Sequence, residues 1–312
     1  MQVFRSAKGL RGMLAGPAVA IGNFDGVHLG HQALMRRAKE LAHAHGGSGV
    51  ALTFDPHPAR YFKPDLAPPL ITSLDQRLEL LAAQDLDAVV VEPFGEALAS
   101  LAPDAFVEEV LVRGLGAQHV VVGESFVFGH RRGGSLATLT ELGHRHGFTT
   151  VGLPAVCAQE IVVSSTKIRE FVLMGRMEGA TLLLGRDHFV DGVVVTGQGR
   201  GRTIGVPTAN LASENELVPG RGVYAARATL ASGDEREAVV NIGTAPTFGG
   251  SPLATVEAHL LDFEGELVGQ RLRLHFAHRL RDERKFPSAG ALVEAIRADI
   301  ATARSYFAGR PR

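Results

Sequence analysis

The stretch GNFDGVHLGHQALM (22–35) decides the fold of this chain. Ahead of it, PAVAIG (17–22) is almost wholly apolar, the pattern of a strand covered on both faces. Behind it, HQALMRRAKELAHAHG (31–46) places Leu34, Ala38 and Leu41 on one helical face, with Gly46 as the stop. Three more apolar runs, GVALTFD (49–55), DAVVVEP (87–93) and QHVVVG (118–123), have the same strand character. DAFVEEVLVRGLG (104–116) adds a helical pattern with Phe106 and Val110 inward and Asp104 as the expected N-cap. Strands alternating with helices predict an α/β fold, a doubly wound parallel sheet with right-handed crossovers. The opening loop then lies at the carboxyl edge of that sheet, where open α/β folds hold ligands.

After about Leu184 the texture changes. HFVDGVVVTG (188–197), GVYAARATL (222–230), REAVVNIG (236–243), ATVEAHLLD (254–262) and QRLRLHFAHRL (270–280) are strand-like and separated by turns. Arg271 to Phe276 alternates with period two, the mark of a half-buried antiparallel strand. These strands predict a small barrel or sandwich, followed by one helix, 288–307, that packs through Leu292, Ile296 and Ile300. Two domains are expected, 1–185 and 186–312.

Of 312 residues, 45% are hydrophobic and 21% charged, as in a globular protein, and the formal net charge is -1. That balance gives no general attraction to nucleic acid or anionic membrane, so any anion must be gripped locally. The single cysteine, Cys157, excludes an internal disulfide and a Cys-based zinc site, and is expected as a small filler beside a strand. The opening MQVFRSAKGLRG has no apolar core of a signal peptide and no run suits a spanning helix, so a cytoplasmic protein is expected. His43, His45, His144 and His146 stand at helix ends before glycine and are read as caps.

The chemistry gathers in four places. His28 and His31 sit one helical turn apart at a helix start, where free N–H groups favour phosphate. On their own, two such histidines are equally well incidental caps. In VVSSTKIREFVLMG (162–175), Ser164, Ser165 and Thr166 open a second helix beside Lys167 and Arg169, either a phosphate pocket or a routine capping box. TGQGRGRTIGVPTANL (196–211) combines a glycine-rich loop, Arg200 and Arg202 with Thr208 and Asn210, whose hard oxygens suit Mg²⁺ carrying nucleotide phosphates. There is neither a Gly-Lys pair for a P-loop nor a G-x-G-x-x-G. Glu257, between Val256 and Ala258, is either a base for a hydroxyl or a solvent-facing strand carboxylate.

HLGH has the H-x-G-H form of a class of nucleotidyltransferases. GNFDGVHLGH, TFDPHP (53–58), VGESFVFGHRRGG (122–134), SSTKIR (164–169) and LLGR (183–186) resemble, in register, the first domain of the bacterial bifunctional riboflavin kinase/FAD synthetase family. The G-R-x-x-G-x-P-T-A-N run, PGRGVYA (219–225), NIGTAPTF (241–248), VEAHLLDF (256–263) and Arg281 to Phe286 resemble its second. The resemblance implies ATP-dependent phosphorylation of riboflavin to FMN, then adenylylation of FMN to FAD, both with Mg²⁺. It implies that Asn23, Phe24, Asp25, His28, His31, Ser164, Thr166 and Arg169 handle ATP in the first domain. Pro56, His57, Pro58, Phe62, Ser125 and Phe128 then surround the flavin. In the second domain it gives ATP to Gly199, Arg200, Gly201, Thr208 and Asn210, the latter two also holding Mg²⁺. Glu257 becomes the base and Arg281 closes the flavin site. Ser125 stands where the family commonly has Asp or Asn, Val127 where it often has Arg, and Val268 where Tyr is frequent. The first two departures keep a second expectation open: a riboflavin kinase whose N-terminal domain binds nucleotide or flavin without making FAD.

Overall fold

The computed structural model describes residues 1–197, 205–245 and 253–309. Contacts divide the chain into two compact units, Met1–Ser164 and Ser165–Arg312.

The first unit holds strands β1 (Gln2–Phe4), β2 (Ala18–Ile21), β3 (Gly49–Asp55), β4 (Ala88–Pro93), β5 (His119–Gly123), β6 (Val127–Phe128), β7 (Gly134–Ser135), β8 (Thr149–Leu153), β9 (Cys157–Ala158) and β10 (Ile161–Val162). Six of them form one sheet in the order β1-β4-β3-β2-β5-β8, with every neighbouring pair parallel. Strand alternation sends Val19, Ile21, Val50, Leu52 and Val120 to one core with Leu111 and Leu139. Ala18, Ala20, Ala51, Val89 and Val121 go to the other, with Met35, Ala38 and Ala42 of the helix Leu29–Ala44. The small residues on that second face let this helix approach the sheet closely.

All four expected strands form. The sequence reading omits β1, which is only three residues long, and β8, an edge strand with no fully buried side chain. The expected Asp104 cap is corrected: Pro103 occupies the first turn, Ala102 is the N-cap, and Asp104 lies inside the helix Pro103–Phe106. That helix continues as a π-helical stretch, Val107–Leu115, which buries Val110 as expected. Cys157 is exposed within β9 rather than a buried filler.

The second unit opens with helices Ser165–Leu173 and Met177–Leu184. Then follow β11 (His188–Val195), β12 (Ala209–Ser213), β13 (Gly222–Leu230), β14 (Glu235–Ala245), β15 (Leu253–Leu260) and β16 (Arg271–Arg281). They close into an antiparallel barrel in the order β11-β12-β15-β14-β13-β16, which decides between barrel and sandwich. The five expected strands are present, and β12, grown from the residues after Pro207, is the sixth. Leu272, Leu274 and Phe276 are buried, alternating with the more accessible Arg271, Arg273 and His275. The last helix, Ala289–Ala308, packs against β13, β14 and β16. Its buried side chains Ala295, Asp299, Ala303 and Phe307 follow one another at i, i+4, while the expected Leu292, Ile296 and Ile300 are only half-buried.

Candidate active sites

The order of the parallel sheet reverses at β2, with β3, β4 and β1 to one side and β5 and β8 to the other. Ligands bind outside the carboxyl ends of strands at such a point. The loop after β2, residues 22–28, occupies it. Three of its residues have left-handed backbone: Phe24 (φ 50°), Gly26 (φ 85°) and Val27 (φ 40°). For Phe and Val this costs about 1–3 kcal/mol each and persists only where the surroundings enforce it. They do. The buried Asp25 carboxylate accepts from the amides of Ile71 (3.0 Å) and Thr72 (3.1 Å), and the Gly26 amide donates to Thr72 Oγ1 at 3.1 Å. Thr53 Oγ1 donates to the Asn23 carbonyl at 3.0 Å.

The loop ends on His28, the N-cap of the helix Leu29–Ala44, whose Nδ1 accepts from the His31 amide at 3.2 Å. The two imidazoles stack, centroids 3.5 Å apart and 16° from parallel, over the edge of the fully buried Phe24. The glycine of H-x-G-H has a steric reason, since a Cβ at Gly30 would lie 3.1 Å from His28 Cε1. Burial, then the neighbouring His28 and Arg77, hold the His31 pKa well below its usual 6.5. His31 Nδ1 is buried and has no hydrogen-bond partner among the described residues. A neutral, unpaired ring nitrogen therefore waits at the helix start.

Arg77 was missed by the sequence reading. On the helix Leu74–Ala82 it is completely buried. Its Nη1 donates to the carbonyls of Asn23 and Phe54, both at 3.1 Å, and lies 3.3 Å from Thr53 Oγ1. Burial lowers its pKa, and Asp25 and Asp55 oppose that. The available signal was its position four residues before the buried Leu81, on the apolar face of its helix.

Beside this loop, after β3, His57 caps the helix Pro58–Phe62 through Nδ1 and the Ala59 amide, 3.1 Å. Phe62 is 60% exposed and packs edge-on with Tyr61 and Phe94, centroids 5.2 and 5.7 Å away. Tyr61 and Phe94 were not singled out from sequence. Pro56 is exposed, Pro58 half-buried, and Ser125 exposed in the loop after β5. Phe128, expected around the flavin, is the least accessible of these side chains. It is buried, stacked behind Phe126 at 5.5 Å and against Phe106, because the β6–β7 pairing turns it inward over Gly134. Phe24 and Asp25 are likewise buried, holding the shape of the loop. Ser164 ends the first unit; in the second, Thr166 is exposed and Arg169 buried on the helix Ser165–Leu173.

In the barrel, Asn210 of β12 is directly opposite Glu257 of β15, and Glu257 is opposite Asn241 of β14. Opposed residues of antiparallel strands share a face. The same row continues through Val223 to Arg281. Val223 belongs to the core under the last helix, so the row lies on the outer face of the barrel. His259 Nδ1 stands 2.8 Å from the Pro207 carbonyl and donates to it, tying the PTAN segment to β15. Beyond the end of β15 Leu261 packs with Val223 and Val239 in the same core under the last helix, and the chain turns at Asp262 (φ 53°). A cavity of about 910 Å³ is lined by Thr208, Asn210 and Gly197 on one side and by Phe263 to Val268 on the other. The Asn210 amide lies so close to Gly197 that a Cβ there would be 1.9 Å from Nδ2. The Arg281 guanidinium grips the buried Asp299 of the last helix in a fork, Nε–Oδ1 2.9 Å and Nη2–Oδ2 2.8 Å. Gly199, Arg200 and Gly201 lie outside the described residues.

A histidine-capped loop on a parallel sheet thus belongs to the first unit, and a closed barrel bearing Asn and Glu side by side to the second. Residues 12–167 match the family model for FAD synthetase and residues 184–307 that for riboflavin kinase. The bifunctional riboflavin kinase/FMN adenylyltransferase of Pseudomonas fluorescens is 38% identical over 99% of this chain and 98% of its own. Those of Haemophilus influenzae and Bacillus subtilis are 36% and 37% identical, over 98% and 93% of this chain and 99% and 92% of theirs. The solved structure of a protein described as a macrolide-efflux protein from Streptococcus pneumoniae superposes with a TM-score of 0.87 at 28% identity, covering 97% of this chain and 98% of that one. No helix of the described residues is long and apolar enough to cross a membrane. The chain belongs to the bifunctional riboflavin kinase/FMN adenylyltransferase family.

Proposed function

We propose that this enzyme phosphorylates riboflavin to FMN in residues 186–312 and adenylylates FMN to FAD in residues 1–185. The observation that carries the reading is the presence in one chain of a stacked histidine pair at a helix start and of Glu257 beside Asn210 across one barrel row.

In FAD synthesis an FMN phosphate oxygen attacks the α-phosphorus of ATP, and the bond to the bridging oxygen of the leaving diphosphate breaks. Asn23 and the backbone of Phe24 and Asp25 shape the nucleotide loop, and Ser164 adds a phosphate contact. His28 and His31 hydrogen-bond phosphate oxygens, and the negative charge arriving with ATP favours protonation of His31. Phe62, with Tyr61 and Phe94, offers an apolar platform to the flavin ring beside Pro56, His57 and Pro58, while Ser125 offers a hydroxyl. In the kinase the terminal ribityl hydroxyl attacks the γ-phosphorus, its proton passes to the Glu257 carboxylate, and ADP leaves.

The residues suit Mg²⁺: hard oxygens of Thr208 and Asn210 line the cavity, and a Cβ at Gly197 would fill the cradle around the Asn210 amide. Thr208 and Asn210 would hold the ion, and it would neutralise phosphate charge. The Gly199–Arg200–Gly201 run is proposed to cover the phosphates, and Arg281 to brace the flavin side. Riboflavin, FMN and ATP are the partners and the cytoplasm the compartment.

The test is a product assay. Purified protein given riboflavin, ATP and Mg²⁺ should yield FMN and then FAD on chromatography. FMN without FAD, also when FMN is supplied, would overturn the bifunctional reading in favour of a kinase alone, with Ser125 and Val127 as the first suspects.

A further inference from the structure

Buried arginines are costly, and Arg77 is buried without a carboxylate hydrogen-bonded to it among the contacts described above. Its Nε and Nη2 have no hydrogen-bond partner among the described residues. Such an arrangement calls for an explanation beyond packing. Three of its contacts supply one. The Asn23 carbonyl belongs to the loop after β2, the Phe54 carbonyl to the end of β3, and Thr53 Oγ1 lies beside them. β2 and β3 are neighbours in register, with Ile21 opposite Leu52, so their loops leave the same sheet edge side by side. One loop leads to the histidine pair and the other to Pro56 and His57.

We propose that Arg77 is a positioning residue for adenylyl transfer: a single Nη1 holds the two loops at a fixed separation and so sets the distance between ATP and flavin. This rests on the adenylyltransferase reading of residues 1–185. Holding two reactants in register lowers the barrier without requiring tighter binding of either, and displacement by about 1 Å can cost on the order of 10²-fold in rate. Thr53 grips the same Asn23 carbonyl through its hydroxyl, so the two side chains form one device.

The full-length enzyme carrying Arg77→Met, Arg77→Lys or Thr53→Val is assayed for FAD formation from FMN, with FMN formation from riboflavin measured on the same preparations. Arg77→Met should lower kcat for FAD by about 10²-fold with KM for ATP and FMN little changed, and leave the kinase rate intact. Lysine carries three donors on one nitrogen and should restore at least a tenth of the lost rate. Thr53→Val, which conserves volume, should lower the same kcat, and its effect should not add to that of Arg77→Met. Unchanged kcat in Arg77→Met overturns the proposal. So does a lysine variant as impaired as the methionine one while Thr53→Val is inert, which would assign Arg77 to packing. If the unsubstituted enzyme makes no FAD, the adenylyltransferase reading fails instead.

Discussion

The roles proposed for His31 and Glu257 are separable, and single substitutions should part them. His31→Ala removes a preorganised donor and should lower FAD formation by roughly 10²–10³ while FMN formation is unchanged. Glu257→Gln should lower FMN formation by about 10²–10⁴, with FAD still made from supplied FMN. Gly197→Ala makes a subtler test. Its Cβ would collide with Asn210 Nδ2, so the amide must swing away, and KM for ATP in the kinase reaction should rise with FAD formation unaffected. At this scale residue type alone singled out side chains that the fold brings together, the stacked His28 and His31 and the opposed Asn210 and Glu257. Arg77 was illegible because arginine in a helix ordinarily faces water, and only the burial of its neighbours reveals otherwise.

Elements came through where hydrophobic periodicity was long. The apolar runs 49–55 and 118–123 became β3 and β5 with little change, and the alternation from Arg271 became β16. β1, β8 and β12 escaped because strands of three to five residues carry too few periods to stand out from loop. β12 matters most, since it carries Asn210 into the row directly opposite Glu257. The last helix was placed correctly but its face was not, because alanines and an aspartate replace the larger aliphatic residues at the deepest positions. Asp299 there meets Arg281, with side chains 8% and 22% exposed. Asp299→Ala leaves the guanidinium without its partner and should cost about 3 kcal/mol in denaturant unfolding of the barrel. Restored stability on adding Arg281→Met would show that the stranded charge is the cause.

Across the whole molecule, burial sets a common acid sensitivity. His31, His119 and His275 all have pKa values lowered from 6.5, in each case first by burial and then by a neighbouring cation or histidine. The unfolded chain therefore binds more protons than the folded one between those lowered values and 6.5. Stability is complete above that pH and declines as the pH falls below it. Denaturant midpoints should be clearly lower at about pH 5.5 than at about pH 7.5, and His275→Gln should flatten that difference. The architecture of two units with separate cores was visible from the change of texture near Leu184. The placement of the helices Ser165–Leu173 and Met177–Leu184 with the barrel unit was not, because nothing in their periodicity says which core receives them. The fork from β16 to the final helix has one more implication. A nonsense codon between Phe286 and Asp299 would erase the clasp on Arg281 and uncover the outer wall next to Glu257, yet spare every residue of the parallel sheet. Its bearer would inherit a protein that can finish a flavin coenzyme but not begin one.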